Sequence, residues 1–295
     1  MSYRHIFLAV LVAILWGFNF VVIKSSLDKV PPFSFAFLRY IVASLPLIYF
    51  VKRPPISIGL LISIGLTMGF LKFSFLFIGV SLGINSGLGS LILQSQAFFT
   101  ILLAGFIFKY RLTTKQISGI AIAFLGIYLI GREMHTQANC ISLICIIAAS
   151  FSWAISNILI KKAGPIDSFA LIIWTSLVPL IPFLIMSFLF EGGNDVFIKV
   201  YQQFNWKITG CILYISCIAT WIGATLWAKL MKIYPPSIIA PYSLLIPIFA
   251  FFFGWIFLGE RISNYTILSS ILVFFGLAMT QWSSPRQHTH FKTES

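Results

Sequence analysis

Ionisable side chains suited to acid–base or metal chemistry are few and lie outside the apolar runs. The chain contains seven Asp and Glu residues and four His residues. They stand in gaps, at run ends or in terminal segments, at Asp28, Glu133, Asp167, Glu191, Asp195, Glu260, Glu294, His5, His135, His288 and His290. They form no carboxylate pair, Ser–His–Asp set or metal-ligand cluster. The sequence therefore predicts neither an enzyme nor a metal or cofactor site, and a proton relay lacks its usual acids.

Two cations lie inside apolar runs. Lys72 stands near the middle of one; if that run crosses a membrane, a cation there costs about 2.5–3.5 kcal/mol and should face a wet cavity or a partner. That partner is either a substrate carboxylate or a structural group, such as backbone carbonyls. Arg39 lies about two turns into another run, from which a long side chain can reach the membrane surface. We expect Arg39 to have a structural role first.

Two Trp/Asn pairs recur at helical spacing. Trp16 precedes Asn19 by three residues and Trp153 precedes Asn157 by four, so each pair shares one helix face. In a binding site, the Asn side chains would hydrogen-bond a polar substrate and the Trp rings would line the cavity. The alternative is that each Asn bonds a neighbouring helix, a contact worth about 0.6 kcal/mol.

Further polar residues interrupt two apolar runs. Gln94 and Gln96 diverge by about 200° on a regular helix, so only an interrupted helix lets both line one face. Otherwise we expect one to face the cavity and the other to contact a neighbouring helix. Another run carries Tyr242, Ser243 and Pro247, and its proline frees a backbone carbonyl that a cavity or neighbour must satisfy. The predicted substrate-binding residues are Trp16, Asn19, Lys72, Gln94, Gln96, Trp153, Asn157, Tyr242 and Ser243.

These candidates belong to an overwhelmingly apolar chain. Of its 295 residues, 59% are hydrophobic and 9% are charged, against about 25% charged in soluble domains. Disorder requires low hydrophobicity, so an integral membrane protein remains. The net charge is +13, but the basic residues stand mostly in short gaps, as topology signals do, rather than in a stripe that tracks nucleic acid. The four cysteines lie in apolar runs without nearby His, which predicts packing rather than metal binding or disulfides.

Ten apolar segments approach the ~20 residues that cross a bilayer as a helix. They are continuously apolar rather than alternating, which excludes a barrel. With the N-terminus inside, twelve Lys and Arg residues fall on the inner side and six on the outer side, so both termini are predicted to be cytoplasmic. The predicted fold class is an all-α, multi-pass protein of the cytoplasmic (inner) membrane with ten transmembrane helices.

The two halves of the chain repeat. Trp16 and Lys24 are eight residues apart, as are Trp153 and Lys161, and further matches keep their order through five segments. Because five is odd, the second copy enters the membrane from the opposite side. Such an inverted 5+5 repeat is typical of secondary transporters, whose site lies at the repeat interface near mid-membrane. The predicted units are a first repeat over residues 6–131, a second over residues 140–282 and a cytoplasmic tail over residues 283–295.

Four short motifs resemble those of the EamA family in the drug/metabolite transporter superfamily. They are Trp-Gly-x-Asn-Phe, Pro-Pro, Leu-Arg and Leu-Gly-Glu-Arg, which begin at Trp16, Pro31, Leu38 and Leu258. The run from Trp16 to Pro54 resembles in particular the family's bacterial amino-acid-metabolite exporters, which release cysteine and O-acetylserine. The resemblance covers nearly the whole chain as two EamA repeats. One departure is Tyr110, which stands in the first repeat where the second repeat and the family have a Glu, here Glu260.

The resemblance implies a secondary transporter that exports small amino acids or related metabolites across the cytoplasmic membrane by alternating access. It implies a small-molecule substrate and the lipid bilayer as partners, and no nucleic acid. The polar residues do not form the charged rings or carbonyl filter usual in channels. The alternatives left open are a carrier of another metabolite or drug-like solute, including a nucleotide-sugar type, and a facilitative channel-like carrier.

Overall fold

A computed structural model of the protein shows a helical fold. It describes residues 1–109, 112–133, 137–193, 205–234 and 242–282, together with residues 195, 198, 202 and 239. The regular structure of these residues is entirely helical, which confirms the all-α prediction. Seven described helices are long and apolar enough to cross a membrane, and three further apolar helices are shorter. Ten spans therefore remain a prediction.

Over the described residues we number ten helices and count an interrupted helix as one. The first half contains α1 Tyr3–Leu27, α2 Pro32–Ile48, α3 Ile58–Ser81, α4 Ser86–Leu93 continued by Gln96–Phe108, and α5 Thr114–Glu133. The second half contains α6 Gln137–Ala163, α7 Ser168–Phe190, α8 Trp206–Leu213 continued through Thr225–Ile233, α9 Leu245–Leu258 and α10 Asn264–Trp282.

Interruptions of the regular helix recur in the two halves. The third helix of the first half, α3, contains the π-helical segment Gly65–Leu71, and the third of the second half, α8, contains Tyr214–Ala224. In the fourth helices, α4 opens into a turn at Gln94 and Ser95, and α9 begins directly after a turn at Leu244. π-Helical segments shift backbone carbonyls out of the regular helical hydrogen-bond pattern and are frequent at functional sites. We therefore expect binding groups in the middle of the bundle.

Equivalent helices of the two halves pack in equivalent ways. Helix α1 packs against α8 and α9, while α6 packs against α3 and α4; α2 pairs with α7, and α5 with α10. In the α5–α10 contact, Gly119 faces Gly276 so closely that a Cβ on either would collide with the other's carbonyl. Exchanging the halves leaves the pattern unchanged, as expected for repeats related by a pseudo-twofold axis.

Two carboxylates tie helices together at one end of the bundle. Lys24 Nζ, on the last turn of α1, pairs with Glu260 Oε1 at 2.6 Å, and both Glu260 oxygens accept from the backbone N–H of Ser86 at the start of α4. Glu191, after α7, accepts from the backbone N–H and the hydroxyl of Ser34 in the first turn of α2, at 2.9 and 2.6 Å. A short loop joins α1 to α2, so these contacts share one end, which we call the carboxylate end.

The opposite end is tied by uncharged contacts. His5 Nδ1, near the start of α1, lies 2.8 Å from the hydroxyl of Tyr234, just after α8. The indole N–H of Trp174 on α7 donates to the carbonyl of Val51, after α2, at 3.0 Å. Both ends therefore join the first half of the chain to the second, and the middle of the bundle is enclosed between them.

Candidate functional site

The two cations of the apolar runs meet between α2, α3 and α6. Lys72 Nζ lies 3.6 Å from the centre of the Trp153 ring and 4.8 Å from that of Phe73. The Arg39 guanidinium lies 3.9 Å from the centre of the Phe73 ring and 4.2 Å from that of Tyr40. Lys72 is 7% exposed and Arg39 is 2% exposed. Aromatic faces attract cations, so the rings hold both charges inside the bundle.

Neither cation has an anionic partner in the part of the chain that the structure describes. The ion pair present there joins Lys24 to Glu260 at the carboxylate end. Neither Lys72 nor Arg39 donates a side-chain hydrogen bond to a described residue, and Arg39 Nε is buried without an acceptor. Because a charge without compensation inside the membrane is costly and usually functional, an anion that enters this region would be stabilised.

The position of Arg39 differs from the sequence-based expectation. Its side chain does not reach the membrane surface, because the guanidinium is held against the rings of Tyr40 and Phe73. Arg39, Tyr40 and Phe73 were not among the predicted site residues. The available signal was an arginine inside an apolar run, with an aromatic residue directly after it and another directly after Lys72.

The two predicted Trp residues occupy equivalent places. Trp153 on α6 faces Lys72, the residue that follows the π-helical segment of α3. Trp16 on α1 donates from Nε1 to the carbonyl of Ala219, inside the π-helical segment of α8, at 3.0 Å. Its ring also packs against Trp227, with 5.6 Å between ring centres. Each Trp therefore contacts the interrupted helix of the other half, and only Trp153 is paired with a cation.

The two predicted Asn residues differ in their hydrogen bonding. Asn157 Nδ2 donates to Gln96 Oε1 at 2.8 Å and to Thr100 Oγ1 at 3.1 Å, so it joins α6 to α4. Asn19 Oδ1 is buried and has no hydrogen-bond partner. A buried acceptor without a donor costs about 1–3 kcal/mol. Asn19 is therefore the one of the pair whose side chain is ready to accept an N–H group.

The glutamines of α4 satisfy groups on neighbouring helices. The helix is interrupted at Gln94, which is the condition under which both side chains can point inward. Gln94 Nε2 donates to the carbonyl of Ser243 at 2.6 Å, which lacks its helical donor because Pro247 has no N–H. Gln96 accepts from Asn157. In this conformation both glutamines bridge the halves of the bundle.

Tyr242 and Ser243 lie just before α9, apart from the cations. Tyr242 packs with Trp227 against a small apolar cluster that includes Leu230. Ser243 contributes its backbone carbonyl to Gln94. Apart from Asn19, the predicted residues fall into three groups: Lys72 with Trp153, which lie beside the unpredicted Arg39; the polar groups that join α4 to α6 and α9; and the aromatic cluster around Trp227. The first group, with Asn19 on the neighbouring α1, has the chemistry of a binding site.

Comparison with known proteins bears on this arrangement. The pattern of the EamA-like transporter family matches the chain twice, over residues 4–132 and 141–282. The chain belongs to the EamA-like transporter family. A probable amino-acid metabolite efflux pump of Salmonella typhimurium is 38% identical over 94% of each chain, and one of Escherichia coli is 37% identical over the same shares. The resemblance in the sequence motifs is therefore confirmed.

One more distant relative of this EamA-like chain is named for a different substrate. The S-adenosylmethionine/S-adenosylhomocysteine transporter of Chlamydia trachomatis is 24% identical, over 86% of this chain and 82% of its own. A crystal structure at 13% identity superposes with a TM-score of 0.61 over 95% of this chain and 96% of its own, which shows a shared fold. The EamA-like protein is a multi-pass inner-membrane transporter rather than an enzyme, and its partners are a small molecule and the bilayer.

Proposed function

We propose that this protein exports small amino acids or related metabolites by alternating access. In this proposal, residues 6–131 and 140–282 form an inverted 5+5 repeat of ten transmembrane helices with both termini in the cytoplasm. Residues 283–295, which lie outside the described residues, form a cytoplasmic tail. The observation that carries the proposal is Lys72, a buried cation without a described anionic partner, enclosed between the two halves of the chain.

Lys72 and Asn19, on two helices that pack together, match the two ends of an amino acid. A substrate carboxylate needs donors and a positive charge, and the Lys72 ammonium supplies both. The substrate amine needs an acceptor, and Asn19 Oδ1 on α1, which packs against α3, is buried without a donor. Trp153 forms the wall behind Lys72. Because the first two groups lie on different helices, binding one small molecule would link α1 to α3.

The tied ends of the bundle supply the gates that alternating access requires. The charge bias of the loops assigns the carboxylate end to the outside. Release to the outside then requires α1 and α4 to separate from the end of α9, which breaks the contacts of Glu260 with Lys24 and Ser86. Opening to the inside, where an exporter takes up its substrate, separates α1 from the end of α8 instead. Transporters alternate between such states by rocking one repeat against the other.

Transport in proteoliposomes tests the proposal. The purified protein should move labelled small amino acids, and a panel measured with and without a pH gradient identifies the preferred substrate and any proton coupling. A nucleotide sugar and a cationic nucleoside metabolite are added as competing ligands, because they represent the substrates of the alternative kinds of carrier. Competition by either of these, with no transport of any amino acid, would contradict the proposed substrate class.

Cysteine labelling tests the inverted topology. Arg111 follows α4 and Arg261 follows α9, so the repeat places them on opposite sides of the membrane. Arg111→Cys and Arg261→Cys are introduced separately into a variant in which the four native cysteines are replaced by serine. An impermeant thiol reagent added to intact cells should label position 261 and not position 111. Labelling of both positions from one side would rule out the inverted arrangement.

Alanine substitutions test the different roles of the two Asn residues. Asn19→Ala should weaken transport about tenfold, because it removes the acceptor for the substrate amine, and should leave the thermal unfolding midpoint unchanged. Asn157→Ala should lower that midpoint, because it leaves Gln96 and Thr100 without their α6 partner. Normal transport by Asn19→Ala would show that its amide oxygen takes no part in binding.

A further inference from the structure

The region of Lys72 holds a second cation that the proposed function does not use. Arg39 is 2% exposed, and its guanidinium lies 3.9 Å from the centre of the Phe73 ring, which Lys72 Nζ approaches to 4.8 Å. Because both charges border one ring, a single small molecule can reach both of them. The two residues lie on the adjacent helices α2 and α3, so helix packing sets the spacing of the charges.

Arg39 has fewer polar contacts than a structural arginine requires. A guanidinium carries several N–H donors in one plane, yet Arg39 Nε is buried without an acceptor, and no ion pair reaches the side chain within the described residues. Its contacts are with the faces of Tyr40 and Phe73. Stacking of this kind stabilises the charge without using the in-plane donors. Those donors therefore remain available to an anion, and arginine binds carboxylates through two parallel hydrogen bonds.

The charges around the Phe73 ring indicate which kind of molecule can bind there. Lys72 and Arg39 bring two positive charges, whereas the acidic side chains that the structure describes stand at helix ends or in loops. Like charges that share a buried site disfavour each other, and one carboxylate compensates only one of them. Asn19 Oδ1, on α1, which packs against α3, offers a neutral acceptor suited to an ammonium group. A molecule with two carboxylates and one ammonium group matches this set.

We propose that Arg39 binds a second anionic group of the substrate, so that the preferred substrates are dicarboxylic amino acids or metabolites with the same pattern of charges. This inference rests on the proposed function, since it takes Lys72 as the partner of the first carboxylate. Arg39 then determines specificity: it contacts the side-chain carboxylate that glutamate has and that glutamine replaces with an amide of nearly the same shape.

Glutamate and glutamine are the matched probes, with dissociation constants measured by calorimetry on the purified full chain. The wild-type protein should bind glutamate about tenfold or more tightly than glutamine, as expected for a hydrogen bond between charged groups. Arg39→Gln should abolish most of this preference and change glutamine affinity by less than about threefold. Arg39→Lys should keep most of the preference, because it keeps the charge. Lys52→Gln removes a charge from an exposed loop and should leave the preference unchanged.

Results that contradict this inference can be told apart from results that contradict the proposed function. Equal wild-type affinity for the two ligands overturns the inference, even if Arg39→Gln does not fold. Equal losses for both ligands in Arg39→Gln also overturn it, since Arg39 then supports the fold or shares the first carboxylate. Transport of amino acids without a preference for glutamate overturns this inference alone. Absence of binding by both ligands, together with absence of amino-acid transport in proteoliposomes, overturns the proposed function as well.

Discussion

Lys72→Gln should weaken the binding of carboxylated substrates by about 1.5–3 kcal/mol, the range for hydrogen bonds to charged groups. Glutamine keeps the length and a donor of the side chain but removes its charge, so the loss reports charge pairing rather than shape. Lys72→Glu should be worse, because like charges would meet in a region of low dielectric. The measurement is competition against a labelled substrate by an amino acid and by its carboxamide, in wild type and in Lys72→Gln.

The carboxamide is the control within this experiment. It lacks the carboxylate, so its affinity should change much less than that of the acid. Lys52→Gln, in an exposed loop, is the matched control variant and should affect neither compound. Equal losses for acid and amide would mean that Lys72 supports the fold or the conformational cycle and does not bind the carboxylate.

Glu260→Gln should open the carboxylate end. The Glu260 carboxylate accepts from Lys24 at 2.6 Å and from the N–H of Ser86, and its side chain is 7% exposed. Loss of the charge should weaken the closed state by about 1.5–3 kcal/mol, which shifts the open population by about tenfold or more. Ser90→Cys, buried on α4, should then react correspondingly faster with an impermeant thiol reagent when the native cysteines are absent.

Two further variants separate the ion pair from a general loss of stability. Lys24→Gln should raise the labelling rate as Glu260→Gln does, and the double variant should add little, because the two residues act as one pair. Asp167→Asn makes the same carboxylate-to-amide change at the start of α7, at the opposite end of the bundle, where Asp167 accepts from the N–H of Phe169. It should leave labelling unchanged. A normal labelling rate in Glu260→Gln would show that this contact does not close the outer end.

The features that the sequence could predict are those fixed by composition and local spacing. Continuous apolar runs require helices in a bilayer, because the backbone must satisfy its own hydrogen bonds there. The spacing of Gln94 and Gln96 predicts that a regular helix turns their side chains apart, but not that α4 is interrupted between them. The need of Lys72 for a cavity or a partner follows from the cost of an unpaired cation, although its aromatic neighbour was not foreseen. Each of these inferences uses residues that are close together in the sequence.

The features that the sequence could not predict depend on partners across the bundle. The π-helical segment before Lys72 adds residues to a turn, so regular helical spacing does not give the direction of that side chain. Asn19 and Asn157 have the same pattern in the sequence, and only the facing helix leaves one without a partner and supplies Gln96 to the other. Likewise, one of the rings that hold the Arg39 guanidinium, that of Phe73, comes from another helix.

The most direct test of the central claim is an experimental structure of the protein with a transported amino acid bound. The account predicts that the substrate carboxylate lies within hydrogen-bonding distance of Lys72 Nζ, in front of Trp153, with the amine directed to Asn19 on α1. A substrate bound elsewhere, for example against the aromatic cluster of Trp16, Trp227 and Tyr242, with its carboxylate remote from Lys72, would contradict it.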